Sequence, residues 1–200
     1  MDEEINFSKL SVWIDWLYEQ ATSGGHHFDS SRTLADSYLD LSPSTMDAAT
    51  SLVNWESTKS ASCGFMTGLG GVVALPFTLP MSMTGNLLIQ LRMIAAVAII
   101  GGHSVEDIRI KNMAYLCIGG SVAKDLLKSF YTRFFGSVVN EIAFKQAQQL
   151  ALSHITGQIT FGLASGAGRF LPVIGGLVNA GLDGITTYAA GRLACETFLF

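Results

Sequence analysis

Apolar residues recur at spacings of mainly three and four near the start of the chain, at Ile5, Leu10, Trp13, Ile14, Trp16, Leu17 and Ala21, which predicts an amphipathic helix. Thr22-Ser23-Gly24-Gly25 stops it, and a loop through His26, His27, Phe28 and Asp29 follows. Ser30 or Ser31 is positioned to cap a short helix through Leu34, Ala35, Tyr38 and Leu39. Ser42-Pro43 supplies the next cap, with proline at the first helical position, for a third helix from about Ser44 towards Ser62.

Polar positions then become scarce. Between Ser60 and Leu91 no charged residue occurs, a span long enough to raise the prospect of a membrane crossing. Gly68, Gly70 and Gly71, followed by Pro76 and Pro80, weaken or bend any helix through it. Two shorter helices joined by an extended or kinked Leu75-Pro76 to Leu79-Pro80 link are therefore expected. Met81 to Ile100 is apolar nearly all round except at Asn86, Gln90 and Arg92, as in a central core helix or a membrane helix carrying costly polar groups, and Gly101-Gly102 ends it. Ser104-Val105-Glu106-Asp107 opens a helix with acids in its first turn, and further helices are predicted from Val122 to Phe135 and from Val138 to His154. Gly157 to Gly184 holds only Arg169 and Asp183 as charges, is broken at Leu171-Pro172, and leads to a last helix reaching Phe198. No strand alternation is convincing, so the fold class is all-α: a single compact, glycine-rich helical bundle with kinked, proline-interrupted apolar helices.

Composition sharpens this picture. Of the 200 residues, 49% are hydrophobic and 14% charged, against about 25% charged in an average domain, so polar surface is limited. The net charge of -4 conceals an asymmetry, because Met1 to Glu56 holds ten acids against Lys9 and Arg32, and the remainder holds ten bases against six acids. Within one domain covering 1–200, an acidic amphipathic part (1–56) thus precedes an apolar glycine-rich core (57–200). Such a body suits an anionic lipid surface or an acidic partner and does not suit nucleic acid; an acidic layer packed on a basic one explains the asymmetry equally well. Cys63, Cys117 and Cys195 lie in apolar stretches and read as buried, reduced thiols, and the acidic N-terminus is the reverse of a signal peptide.

Chemistry-bearing patterns are few. Gly64-x-x-x-Gly68, Gly162-x-x-x-Gly166 and the run Gly176, Ala180, Gly184 place small residues on one helix face, a device for close helix packing in a bundle or in lipid. Arg92, Arg169 and Arg192 are isolated cations in apolar surroundings, and each needs a partner. Internal pairing with Asp183, Glu196 or helix carbonyl ends is one solution; a cleft that takes an anionic headgroup or a partner's carboxylate is the other. His26, His27 and Asp29 lack a fourth ligand at fixed spacing, so neither metal nor cofactor is expected. No His-Glu-x-x-His, Gly-x-Ser-x-Gly or phosphate loop is present, and no catalysis is expected.

The stretch Ser62-Cys-Gly-Phe-Met-Thr-Gly-Leu-Gly-Gly71, with Leu75-Pro76, Leu79-Pro80 and Gln90-Leu-Arg-Met-Ile-Ala-Ala-Val-Ala-Ile99, resembles the EcsC family of bacterial proteins. Leu34-Ala-Asp-Ser-Tyr-Leu39, Cys117-Ile-Gly-Gly120, Leu171-Pro-Val-Ile-Gly-Gly176, Asn179 and Gly191-Arg192 extend the likeness over nearly the whole chain. The resemblance implies a helical, membrane-linked protein without established chemistry. It marks Gly64, Gly68, Gly70 and Gly71 for a tight turn, Pro76 and Pro80 for the kink, Pro172, Gly175 and Gly176 for the closing segment, and Gln90 with Arg92 as a polar pair inside an apolar helix.

The expectation is a non-catalytic cytoplasmic protein, peripheral at the inner face of the cytoplasmic membrane in one version, that binds membrane lipid or an apolar membrane-active protein. An immunity-type protein neutralising a pore-forming toxin is one form of it, and an oligomer is compatible with it. Gln90, Arg92, Arg169, Asn179 and Arg192 are the candidate binding residues. The rival readings are an integral component of a transporter or channel assembly, and a hydrolase with a scattered site drawing on Cys63, His103 or His154.

Overall fold

The computed structural model describes residues 7–25, 28–70, 81–119, 149, 153 and 172–199, with side chains described except at 7–10, 62–70, 81–83 and 172–182. Its described part is all-α, with helices α1 (Phe7–Ser23), α2 (Ser31–Leu39), α3 (Thr45–Gly70), α4 (Met81–Ile100), α5 (Ile108–Ile118) and α6 (Pro172–Phe198). The expected helix over 122–135, that over 138–154 apart from residues 149 and 153, the Leu75–Pro80 link with Gly71, Pro76 and Pro80, and Arg169 lie outside the described residues.

α1 buries Ile14, Leu17, Tyr18 and Ala21, as its periodicity requires. Trp16, counted with that face from its spacing, is instead half exposed, because it sits on the flank beside Val12. Gly24 ends the helix at φ +82°, its amide donating to the Gln20 carbonyl at 3.0 Å, a conformation that glycine adopts without penalty. Ser30 caps α2 by accepting from the Thr33 amide at 3.1 Å.

Two starts differ from expectation. The cap of α3 is Ser44, whose Oγ accepts from the Asp47 amide at 3.1 Å while donating to the Asp47 carboxylate at 2.6 Å. This reciprocal arrangement draws the start two residues past Ser42. α5 likewise begins after the acids: Asp107 is its cap, accepting from the Arg109 amide at 2.8 Å, and Ser104 to Asp107 form a turn.

Further differences concern continuity. α3 runs unbroken for 26 residues through Ser62, Gly64, Gly68 and Gly70, so Gly64 and Gly68 lie within a helix and not in a tight turn. Packing explains the continuity, since α3 shares its most extensive interface with α6, and tertiary contacts override the roughly 1 kcal/mol per glycine of weakened propensity. α6 starts on Pro172, where a missing amide costs nothing, and continues through Gly175, Gly176 and Gly184.

α3 and α6 are antiparallel, as Val53 meets Gly191 and Ala61 meets Gly184. α4 packs against every other described helix, and Leu91 and Met93 through Ile100 are buried without a gap. It is the central helix, and its end is a two-bond glycine cap: the Gly102 amide reaches the Ile99 carbonyl at 2.9 Å and the His103 amide the Ala98 carbonyl at 3.0 Å, with Gly102 at φ +81°. His103 then lies 3.1 Å from the Phe198 carbonyl, tying the ends of α4 and α6. Asp15 clamps α1 to α5, accepting from Tyr115 at 2.7 Å and pairing with Lys111 at 2.9 Å.

The closeness of α3, α4 and α6 depends on Gly191, where an added Cβ would stand 2.6 and 2.8 Å from the Val53 methyls and 3.0 Å from Met93 Cε. Gly191→Ala is expected to cost about 1–3 kcal/mol through overpacking. Gly85→Ala meets nothing within 4 Å and is expected to add about 0.5–1 kcal/mol of helix stability. Thermal unfolding of the two variants should therefore move in opposite directions.

Candidate functional site, a polar seam through the apolar core

Asn86 and Gln90 are one helical turn apart and share a face of α4, whereas Arg92 lies round the helix from Gln90. The structure accordingly separates the expected Gln90–Arg92 pair. Gln90 faces α6, donating from Nε2 to Thr187 Oγ1 at 3.1 Å. Arg92 faces α3, where Nη2 meets Glu56 Oε2 at 3.2 Å.

Glu56 is fully buried and carries two cations, since Lys59 Nζ also reaches its Oε1 at 2.6 Å. The Arg92 guanidinium lies 5.9 Å from the centre of the Phe28 ring, so an aromatic face covers a cation that is only 11% exposed. Burial and then the Glu56 carboxylate push the nearby Tyr38 hydroxyl above its ordinary pKa, with Arg92 opposing. A buried pair is repaid only when the remaining hydrogen-bonding positions are also satisfied, and here one carboxylate takes three donor contacts.

One turn further along α3, Ser60 opens the second half of the seam. Thr187 Oγ1 donates to Ser60 Oγ at 2.9 Å, Ser60 donates to Asn86 Oδ1, and Asn86 Nδ2 donates to Asp183 Oδ1 at 3.0 Å. Thr186 Oγ1 closes the arrangement on the Asp183 carbonyl at 3.1 Å. Asp183 has no lysine or arginine within ion-pair distance among the described residues. Burial pushes its carboxyl up from the usual range to about 6.

The counter-charge of Arg92 is thus Glu56, and not Asp183, Glu196 or a helix end. Glu56 stands three residues after Val53 and four after Leu52 on the apolar face of α3, a spacing that would have identified it as an inward acid. Arg192 is exposed on α6 and does not join the seam. Asn179, Gly175 and Gly176 lie on the α6 backbone, and the Asn179 side chain is outside the described residues, as are His26 and His27. Asn112, which the sequence did not single out, is buried on α5 with neither amide atom hydrogen-bonded among the described residues.

The thiols available for comparison are poor nucleophiles: burial pushes Cys117 up to about 12 and Cys195 up to about 11, so both stay protonated at neutral pH. Cys63 and His154 have no described side chain. Among the described residues no group of three or more His, Cys, Asp or Glu is placed to hold a metal ion. No family model, curated protein or solved structure matches this chain.

Arg92→Ala removes one partner of a buried pair and is expected to cost about 3 kcal/mol, the lower part of the range for such losses because Lys59 still neutralises Glu56. Glu56→Gln combined with Arg92→Met should recover most of that loss. Urea unfolding of the single and double variants checks both, and an Arg92→Ala effect no larger than that of Arg192→Ala would refute the role given to the pair.

Proposed function

We propose that this protein acts without catalysis at a membrane surface, binding membrane lipid or an apolar, membrane-active polypeptide through side chains on the outside of its helices. The observation that carries this reading is the exposure of large apolar residues in a chain already short of polar surface. Val12 and Trp16, one turn apart on α1, are 70% and 50% exposed, and Trp55 on α3 and Ile185 and Tyr188 on α6 are exposed too. Tryptophan and tyrosine carry an apolar body with one polar atom, which suits the boundary between headgroups and acyl chains.

The EcsC resemblance, which rests on sequence alone, points to the same setting. Neutralisation of a pore-forming toxin is one specific form of it, in which the exposed surface would capture the toxin's apolar helices. The integral reading draws less support, because among the described residues no helix is long and apolar enough to cross a membrane.

Flotation of the purified chain with vesicles of neutral phosphatidylcholine, alone or with an anionic phospholipid, tests the lipid form. Retention on at least one composition is expected, and release from cell membranes by carbonate. Burying Trp16 and Val12 in the interface would contribute about 1.5–3 kcal/mol each. Trp16→Glu with Val12→Glu should therefore weaken vesicle binding tenfold or more by this estimate of roughly 1.4 kcal/mol per decade. No retention on either vesicle would eliminate lipid as the ligand, and resistance to carbonate would favour the integral alternative.

A further inference from the structure

The polar seam has a direction. From Gln90, each donor hands on to the next group: Gln90 Nε2 to Thr187, Thr187 to Ser60, Ser60 to Asn86, and Asn86 to the Asp183 carboxylate. The Asp183 carboxylate orients the Asn86 amide, because an acceptor draws the amide nitrogen and leaves Oδ1 to accept from Ser60. The route crosses all three long helices and terminates on an acid with no described counter-charge. Packing closes in directly beside it, since a Cβ added at Gly184 would stand 3.1 Å from the Ala61 methyl of α3.

We propose that this chain of groups is a proton-operated latch across α3, α4 and α6, tight when the Asp183 carboxyl is protonated and looser when it is ionised. Protonation keeps the Asn86 hydrogen bond, because Oδ1 still accepts, and removes a charge from a half-buried position. Ionisation places a negative charge between the helices with no cation within ion-pair distance among the described residues. The seam therefore parts more readily at neutral than at mildly acidic pH.

Among the described residues, Asn86 from α4 donates to the Asp183 carboxylate, and Ser60 from α3 and Thr186 from α6 donate to its backbone carbonyl; none of them titrates in this range. The charged residues of the same helices with described side chains are Asp47, Glu56 and Lys59 on α3, Arg92 on α4, and Arg192 and Glu196 on α6. The shift of Asp183 has burial as its cause, with no contribution from these charges. Its value near 6 in the folded chain stands above the ordinary 3.8. Between those two pH values the folded state holds a proton that the unfolded state has lost, so stability falls as pH rises through the window and stays low above it. The reverse would hold for a carboxylate stabilised by a cation.

The latch does not depend on the identity of any binding partner, and its test is separate from vesicle binding. The folding equilibrium of the unmodified protein, followed by urea unfolding from pH 4 to 8, should weaken on the order of tenfold, and at most about a hundredfold, as pH rises from 4 to 6. Asp183→Asn preserves shape and the Asn86 contact while removing the charge; its curve should lack that component, and it should be at least as stable as the parent at pH 7.5. Carbon-13 NMR of the unmodified protein should place the Asp183 carboxyl midpoint near 6, a readout that survives if the variant misfolds. Amides around Ser60 and Thr187, corrected for intrinsic exchange, should lose protection between pH 5 and 7 in the parent and keep it in Asp183→Asn. A carboxyl that titrates near 4, an unchanged slope in the variant, or a variant less stable than its parent at pH 7.5 would overturn the proposal.

Discussion

A helix surrounded by other helices has little solvent to satisfy its polar side chains, and α4 is in that position while carrying Asn86, Gln90 and Arg92. Unpartnered burial of such groups costs on the order of 1–3 kcal/mol each, and more for a charge. The neighbours must therefore arrive in register. α3 presents Glu56 and Ser60 four residues apart, and α6 presents Asp183 and Thr187 at the same interval. A shift of one residue along either helix rotates its side chains by about 100° and would break the ion pair or the hydroxyl–amide chain. Apolar packing alone is permissive about sliding; these few polar contacts select one alignment, as single buried polar residues do in coiled coils.

Much of this fold was legible in the residues because helix periodicity and glycine stops are local signals. The spans of α1, α2 and α4 follow from such patterns, as do the breaks at Gly24, Gly101-Gly102 and Pro172. What local reading misplaced was decided by geometry at longer range or by competition between adjacent caps. Ser44 outcompetes Ser42 because Asp47 stands three residues on to reciprocate, and α3 passes through Ser62 because α6 lies against it. The site was half legible: Gln90 and Arg92 were marked as polar exceptions in an apolar run, but their partners come from helices 36 and 97 positions away. Asp183 stands out in the sequence as one of two charges in an apolar stretch and as a mate for an arginine, but its neighbours do not announce contacts with serine, threonine and asparagine.

The two acids of the seam are opposites in energetic terms. Glu56 is deeply buried yet compensated by Arg92 and Lys59, whereas Asp183 is less buried and has amide and hydroxyl contacts without a described cation.

Glu56 is also the last acid of the acidic N-terminal segment, and its counter-ion Arg92 belongs to the basic, apolar remainder. Among the described residues, the acidic and basic parts of the chain are thus joined in three dimensions by Glu56 with Arg92 and Lys59 in the interior and by Asp15 with Lys111 nearer the surface. A division of the chain at the compositional boundary would cut through α3 and separate a buried cation from its neutralising charge. The acidic third is in this sense a covalently attached subunit of the core, and gain or loss of either part by recombination would require simultaneous change in the other.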